Sequence, residues 1–231
     1  MQKRAILFDI DGTLIDSNDA HVEAWQRAFA GEGYMFSRTA IHAQIGKGGD
    51  NLLPSLLPGA ADDIVERIDR AHGEIYRRDF LPRVEPFPGA KEILKSLVER
   101  GHTVMLASSA SRNEVDQYVK LLDADGLLSG TTSTDDVAHS KPCPDIFAAA
   151  LARTGCPAER AMVIGDTPYD IIAARRTGID AIAVLSGGIH EDLLRSSGAV
   201  AIYRDVAELG ANYESSLLGT SEIGATEPAE A

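Results

Sequence analysis

The chain has 231 residues, 44% of them hydrophobic, enough for one substantial core or a core with a smaller partner. Its formal charge of -13 gains nothing from counterion release on a phosphate backbone, which excludes nucleic acid as the expected partner and favours a cytoplasmic protein with an acidic surface. Cys143 and Cys156 stand in no CxxC spacing and read as reduced thiols; Asp9 cuts short the basic-apolar start, arguing against a signal peptide, and no apolar run reaches the length of a membrane span.

In chain order, the first element is the apolar run Ala5–Phe8, which ends at once in Asp9 and Asp11. Side chains two apart on a strand point to the same side, so these carboxylates would repel each other if the strand persisted. Asp16 follows as a hinge or cap residue. The next strand-like run, Thr103–Ala107, lies roughly ninety residues on, far beyond one connecting helix. Helical periods fill the interval: Val22, Trp25 and Phe29; then Leu52, Leu53, Leu56 and Leu57; then Ile64, Ile68 and Ile75. Residues 17–86 therefore read as a helical insertion closed by the linker Pro82–Gly89. Ile93, Leu94 and Leu97 predict one helix. Val115, Val119 and Leu122 predict another, opened by the capping box Ser111–Glu114.

Further continuous apolar runs, Ala161–Ile164, Ala181–Leu185 and Ala199–Tyr203, read as strands covered on both faces. Strands alternating with helices predict an α/β fold with a doubly wound parallel sheet. The predicted division is 1–16 with 87–210 as the core domain, 17–86 as an inserted α-helical domain, and 211–231, small and acidic, as a disordered tail.

Ligands of open parallel sheets bind beyond the carboxyl ends of the strands. The residues there are Asp9 and Asp11, then Ser108 and Ser109, then Gly165-Asp166 with Asp170; Lys141 precedes Pro-Cys-Pro between the last two runs. Singly, Asp166 before Thr167-Pro168 reads as a helix N-cap, and Lys141 and His21 read as surface residues. Together they suit one chemistry. Clustered carboxylates attract Mg2+, which also takes phosphate oxygens. Asp9 and Asp166 would hold the ion, with Asp170 either on it or behind it. The ion and Lys141 would neutralise a phosphate, Asp9 would attack phosphorus, and Asp11 would serve as acid and base. Ser108, Ser109 and backbone amides would hold phosphate oxygens.

The ordered set Asp9-Ile-Asp11-Gly-Thr-Leu, Ser108 after a strand, Lys141 in SKPCPDIF and Gly165-Asp166-Thr-Pro-Tyr-Asp170 resembles the haloacid dehalogenase superfamily over nearly the whole chain short of the tail. The resemblance implies a core of strand order 5-4-1-2-3 with a small helical cap inserted after the first motif. It implies Asp9 as nucleophile and Asp11 as general acid/base with its carbonyl on Mg2+. Ser108 and Lys141 would bind phosphate, Asp166 would be a metal ligand, and Asp170 would support or share the metal. Dehalogenases of this superfamily need no metal and lack an aspartate two after the nucleophile, so Asp11 argues for phosphorus chemistry. His21 matches a histidine of the similar β-phosphoglucomutases. The loop Gly46–Asp50, however, lacks their Gly-x-Ser-Arg, and Gly165-Asp166 replaces their Glu-Asp. The expected function is therefore a Mg2+-dependent phosphatase of a small phosphorylated metabolite, with Lys47 the candidate cap residue for selecting the leaving group. A mutase and a non-catalytic module are the alternatives, and oligomeric state stays open.

Overall fold

A computed structural model describes residues 4–220. Six strands form one parallel sheet: β1 (Ala5–Phe8), β2 (Thr103–Ala107), β3 (Gly130–Thr132), β4 (Ala161–Gly165), β5 (Asp180–Val184) and β6 (Ala201–Tyr203), in the order β3-β2-β1-β4-β5-β6. Read from the other edge this is 6-5-4-1-2-3, so the expected five-strand order gains a sixth strand. β3 escaped the sequence reading because its residues are Gly-Thr-Thr, which carry no apolar run. β1 lies at the centre, paired with β2 from Ala5 against Thr103 and with β4 from Ala5 against Ala161. Every residue of β1, β2 and β4 is buried, as strands flanked on both faces require.

Helices cover both faces. On one, α5 (Ala90–Glu99) and α6 (Arg112–Leu121) pack with Phe8, Val104 and Ile164; on the other, α7 (Asp145–Thr154) and α8 (Pro168–Arg176) pack with Leu7, Met105 and Val163. The alternation of strand side chains between faces thus builds two apolar layers. Glu114 accepts from the Ser111 amide at 3.0 Å, closing the capping box at the start of α6. Between β1 and α5 the chain is helical: α1 (Asn18–Gly31), α2 (Arg38–His42), α3 (Gly49–Leu56) and α4 (Asp62–Ile75), the last extended by a wide turn over Tyr76–Phe80. These helices have their own apolar cluster, centred on Val22, Trp25, Phe29, Leu52 and Ile68. The chain leaves and re-enters at adjacent points, where the Asp16 amide donates to the Glu85 carbonyl at 2.9 Å and Ile15 bridges Pro86.

The final described stretch corrects the expectation of disorder from 211 onward. After α9 (Glu191–Ser197) and α10 (Val206–Ala211), Tyr213 and Leu218 join the main apolar cluster, and the Arg4 guanidinium donates to the carbonyls of Leu217 and Thr220. Residues 221–231 lie outside the described residues. Cys143 and Cys156 are free, half-buried thiols. No helix of the described residues is long and apolar enough to cross a membrane.

His102 ties this C-terminal segment to the sheet. The Arg4 amide donates to its Nδ1 at 3.3 Å, which leaves Nε2–H to donate to the Tyr213 hydroxyl at 2.7 Å. Burial, with Arg4 and Arg100 nearby, pushes its pKa down from the ordinary value. The unfolded chain then binds the proton first, so this contribution is whole above about pH 6.5 and is lost as pH falls below it. Urea midpoints at pH 7 and pH 5.5 should show a shallower loss in His102→Asn than in the wild type; equal slopes would remove His102 from the account.

Candidate active site

The carboxyl ends of β1, β2 and β4 converge with the segment before α7 on one buried constellation. β1 carries Asp9, whose amide still continues the ladder to Ile164 at 2.8 Å. The chain then turns through Gly12 (φ +74°), where a Cβ would lie 2.3 Å from both Asn18 and Asp166. The two aspartates, both ahead of that turn, face different surroundings. The repulsion anticipated for a continuous strand is resolved by giving each its own partners.

Asp9 is 4% exposed and shares Lys141 with Asp170. The Lys141 ammonium is fully buried, 2.7 Å from Asp170 Oδ1 and in contact with Asp9 Oδ1. Thr13 Oγ lies 3.1 Å from Asp9 Oδ2 and 3.2 Å from Asp166 Oδ1, so it bridges the two acids. Asn18 donates to Asp166 Oδ2 at 2.9 Å and to the Gly187 carbonyl at 3.2 Å. At Gly187 a Cβ would sit 1.6 Å from Asp166, so the loop after β5 can pass there only as glycine. Asp170 is held by the start of α8: its Oδ2 accepts from the Thr167 amide at 3.0 Å and the Thr167 hydroxyl at 2.6 Å. This corrects the reading of Asp166 as N-cap. Thr167 is the cap, Asp170 completes its capping box, and Asp166 is free to face Asp9.

Asp9, Asp166 and Asp170 each offer an oxygen within 4.8 Å of the others. Three buried acids share one ammonium. Burial, with the neighbouring acids, raises Asp9 to about 7 against the pull of Lys141, and burial with Asp9 and Asp170 pushes Asp166 well above the carboxylate range. This all-oxygen donor set is short of positive charge, which fits a hard divalent cation. Asn18 Oδ1, buried and without a partner among the described residues, is an acceptor suited to a water on such an ion.

Asp11 has the opposite environment. Its Oδ1 accepts from Ser17 at 2.6 Å and Tyr118 at 2.8 Å and faces His21 Nε2 at 3.1 Å; Ser108 Oγ is 3.4 Å from Oδ2. Burial alone would raise its pKa. His21, Ser17 and Tyr118 together outweigh burial and bring it to about 2. Tyr118 in turn meets the Tyr76 hydroxyl at 2.5 Å. His21 stacks on Tyr76 (3.7 Å, 11°), and its Nδ1 faces His72 at 3.3 Å; His72 stacks on Trp25 (3.8 Å, 5°). Burial and His21 hold His72 neutral.

A cavity of about 430 Å3 opens in front of Asp9 and Asp11, walled by Ser108 and Ser109 on the sheet side and by the loop Gly46–Asp50, Arg70 and Arg77 on the helical side. Ser109 Oγ is buried and without a partner among the described residues. His21 touches Asp11, so its place is beside an acid rather than in direct reach of phosphate alone. Lys47 also borders the cavity, but its ammonium is bound by Gln44 and Ser55 at 2.6 and 2.9 Å and lies 4.7 Å over the Tyr169 ring. The sequence reading missed Thr13, Ser17, Asn18, His72 and Tyr118. Ser17 and Asn18 precede the first apolar helical position and look like cap residues, and Tyr118 sits on the apolar stripe of α6 like any core aromatic.

The profile of the haloacid dehalogenase-like hydrolases matches residues 6–184. The chain is 34% identical, over 81% of its length and 83% of the relative's, to a Dickeya dadantii protein named probable phosphatase IndB. It is 27% identical to a phosphoglycolate phosphatase of Rhodospirillum rubrum, with 96% of each chain covered. Among solved structures it is similar to a hydrolase from Pseudomonas syringae at TM-score 0.88 and 32% identity, covering 93% of this chain and 99% of that one.

The crowding of acids has a sign. Asp166→Asn removes one charge while Thr13 and Asn18 can still pair with the amide. The wild type should melt higher in millimolar Mg2+ than in EDTA; the variant should melt above the wild type in EDTA and show no such rise. Differential scanning fluorimetry with and without the ion checks both.

Proposed function

Because the chain belongs to the haloacid dehalogenase-like hydrolases, we propose that it is a Mg2+-dependent phosphomonoester hydrolase acting on a small phosphorylated metabolite through an aspartyl-phosphate on Asp9. The observation that carries the reading is the split between the two acids. Asp9 stands with Lys141 in a cation-seeking cluster, while two residues on Asp11 is held apart by hydroxyl and imidazole donors. Pairs of acids whose environments differ in this way are suited to different roles.

In this reading Asp9 Oδ attacks phosphorus and the ester P–O bond breaks. The leaving oxygen takes its proton from Asp11. The resting Asp11 is a carboxylate, and the arriving phosphate dianion raises its proton affinity, with His21 adjacent to supply or receive the proton. In the second half Asp11 takes a proton from water, the water oxygen attacks phosphorus, and inorganic phosphate leaves as Asp9 is regenerated. Lys141, Ser108 and Ser109 hold phosphate oxygens. Asp9, Asp166 and the Asp11 carbonyl would hold Mg2+, which supplies charge neutralisation at the phosphoryl group. Asp170, with one oxygen on Lys141 and the other on Thr167, supports the cluster from behind. Residues 17–86 act as the cap that excludes water, and their lining residues choose the leaving group.

The sequence alternative, a β-phosphoglucomutase-like phosphomutase, gains one observation: Arg70 and Arg77 line the cavity from α4 and the turn after it, where a second phosphate could be gripped. Arg77 is 3.5 Å from Glu114, which already answers part of its charge. A coupled glucose 6-phosphate assay on β-glucose 1-phosphate with a bisphosphate activator separates the two. For the hydrolase, Asp9→Asn should bring aryl phosphate hydrolysis to background while circular dichroism shows the fold kept. Asp11→Asn should lower it by roughly 10²–10⁴. Wild-type turnover in Asp9→Asn would remove the nucleophile assignment.

A further inference from the structure

The residue before Lys141 is fastened by the helical segment. Ser140 is 2% exposed, and each of its polar groups is taken by Gly48 or by the first turn of α3, at the end of the cap loop. Its amide donates to Asp50 Oδ2 at 3.0 Å and its hydroxyl donates to Asp50 Oδ1. Its Oγ accepts from the Gly48 amide at 2.9 Å, and its carbonyl accepts from Asn51 Nδ2 at 3.0 Å. Asn51 also lies 3.4 Å from the Lys141 carbonyl. The approach is close enough to dictate sequence: a Cβ on Gly48 would lie 2.6 Å from Ser140 Oγ, and one on Gly49 would lie 2.0 Å from Asp69.

The same loop is tied to the other side of the site. Tyr169, one residue before Asp170, donates its hydroxyl to the Ala43 carbonyl at 2.5 Å, and Lys47 lies over its ring. A Cβ on Gly46 would meet Thr167 at 2.7 Å. The loop therefore grips the two segments that carry Lys141 and Asp170, the ammonium and one of its two carboxylates. Asp50 is otherwise an exposed acid on a negatively charged chain, where solvent would satisfy it equally well. Its hydrogen bonds to a buried serine ninety positions away in sequence mark it as part of a built contact.

We infer that Asp50 and Asn51 are positioning residues: by clasping Ser140, the loop of the helical segment sets the place of Lys141, so that seating the helices and completing the phosphate site are one event. This rests on the phosphatase reading for its catalytic consequence, though the clasp itself does not. Such a residue acts on the phosphoryl end, common to all substrates. A residue touching the leaving group would act selectively.

The test uses Asp50→Ala, Ser140→Ala and the double variant in the full chain, measured over a panel of aryl, sugar and carboxylate-bearing phosphate monoesters. Each single variant should lower kcat by a similar factor, roughly ten- to a hundredfold, for every ester the wild type hydrolyses. The double variant should be no worse than the poorer single one, as expected for two ends of one contact. Hydrogen exchange should rise together in residues 46–51 and 138–142 of either single variant, while the strands keep wild-type protection. Losses confined to some leaving groups, additive losses, or unchanged exchange at 138–142 in Asp50→Ala would each overturn the inference. If the wild type hydrolyses nothing on the panel, the phosphatase reading falls on its own, and the exchange measurement still decides the clasp.

Discussion

The buried ammonium of Lys141 is the interaction on which the rest of the site depends. A charge taken out of water is tolerated only when it is paired with good geometry, and removing one partner of such a pair typically costs about 3–5 kcal/mol. Lys141 meets this demand with Asp9 from the end of β1 and Asp170 from the first turn of α8, and its ammonium lies 4.9 Å over the Phe147 ring of α7. Three elements far apart in sequence are therefore fixed relative to one another by a single cation. Neither acid could be moved without leaving a charge unanswered in the interior.

The pair is overfilled on purpose. With Asp166 added, the acids outnumber the ammonium, and Asp9 and Asp166 are pushed toward their neutral forms. The fold carries that repulsion because Thr13, Asn18 and the glycine at 187 bring hydrogen bonds and close backbone around the carboxylates. Asp11 escapes the same fate because donors at the start of α1 and on α6 reach its carboxylate. Two acids two positions apart thus differ in chemistry through their partners: one seeks a cation, and the other stays ionised without one.

Much of this was legible in the sequence, and the failures have physical causes. The central strands could be read because burial on both faces demands continuous apolar runs, and three of the polar clusters because they stand where those runs stop; Lys141 lies between two runs. β3 was invisible, since an edge strand of Gly-Thr-Thr is held by its ladder to β2 rather than by its own hydrophobicity. The segment after 210 looked disordered by composition, yet Tyr213 and Leu218 suffice to anchor it when Arg4 and His102 supply partners from the far end of the chain. Asp166 read as the cap because it precedes Thr167-Pro168, and only the capping box of Thr167 with Asp170 moves the cap one residue on. Ser17, His72 and Tyr118 gave no signal because a polar cap residue and single polar or aromatic residues on amphipathic helices are ordinary; Ser17 and Tyr118 gain their meaning by meeting Asp11 in space, and His72 by meeting His21.

The helical segment, rather than the sheet, is where one member of this architecture can differ from another. In the proposed reaction the sheet edge would supply the groups that address the phosphoryl centre: two acids, an ammonium and hydroxyls. The opposite wall mixes Arg70 and Arg77 with Asp50, Asp69 and His72, a balance of charges that suits a polar leaving group better than an apolar one. Lys47, the cation that sequence position marks out, is diverted to Gln44, Ser55 and Tyr169 and strengthens the loop instead. In that reaction selectivity would come from the shape and hydrogen bonding of this wall. Such a wall can be remodelled only at positions of 17–86 that neither pack into the sheet's apolar cluster, as Ala24, Tyr76 and Leu81 do, nor hold the buried acids, as Ser17, Asn18 and His21 do.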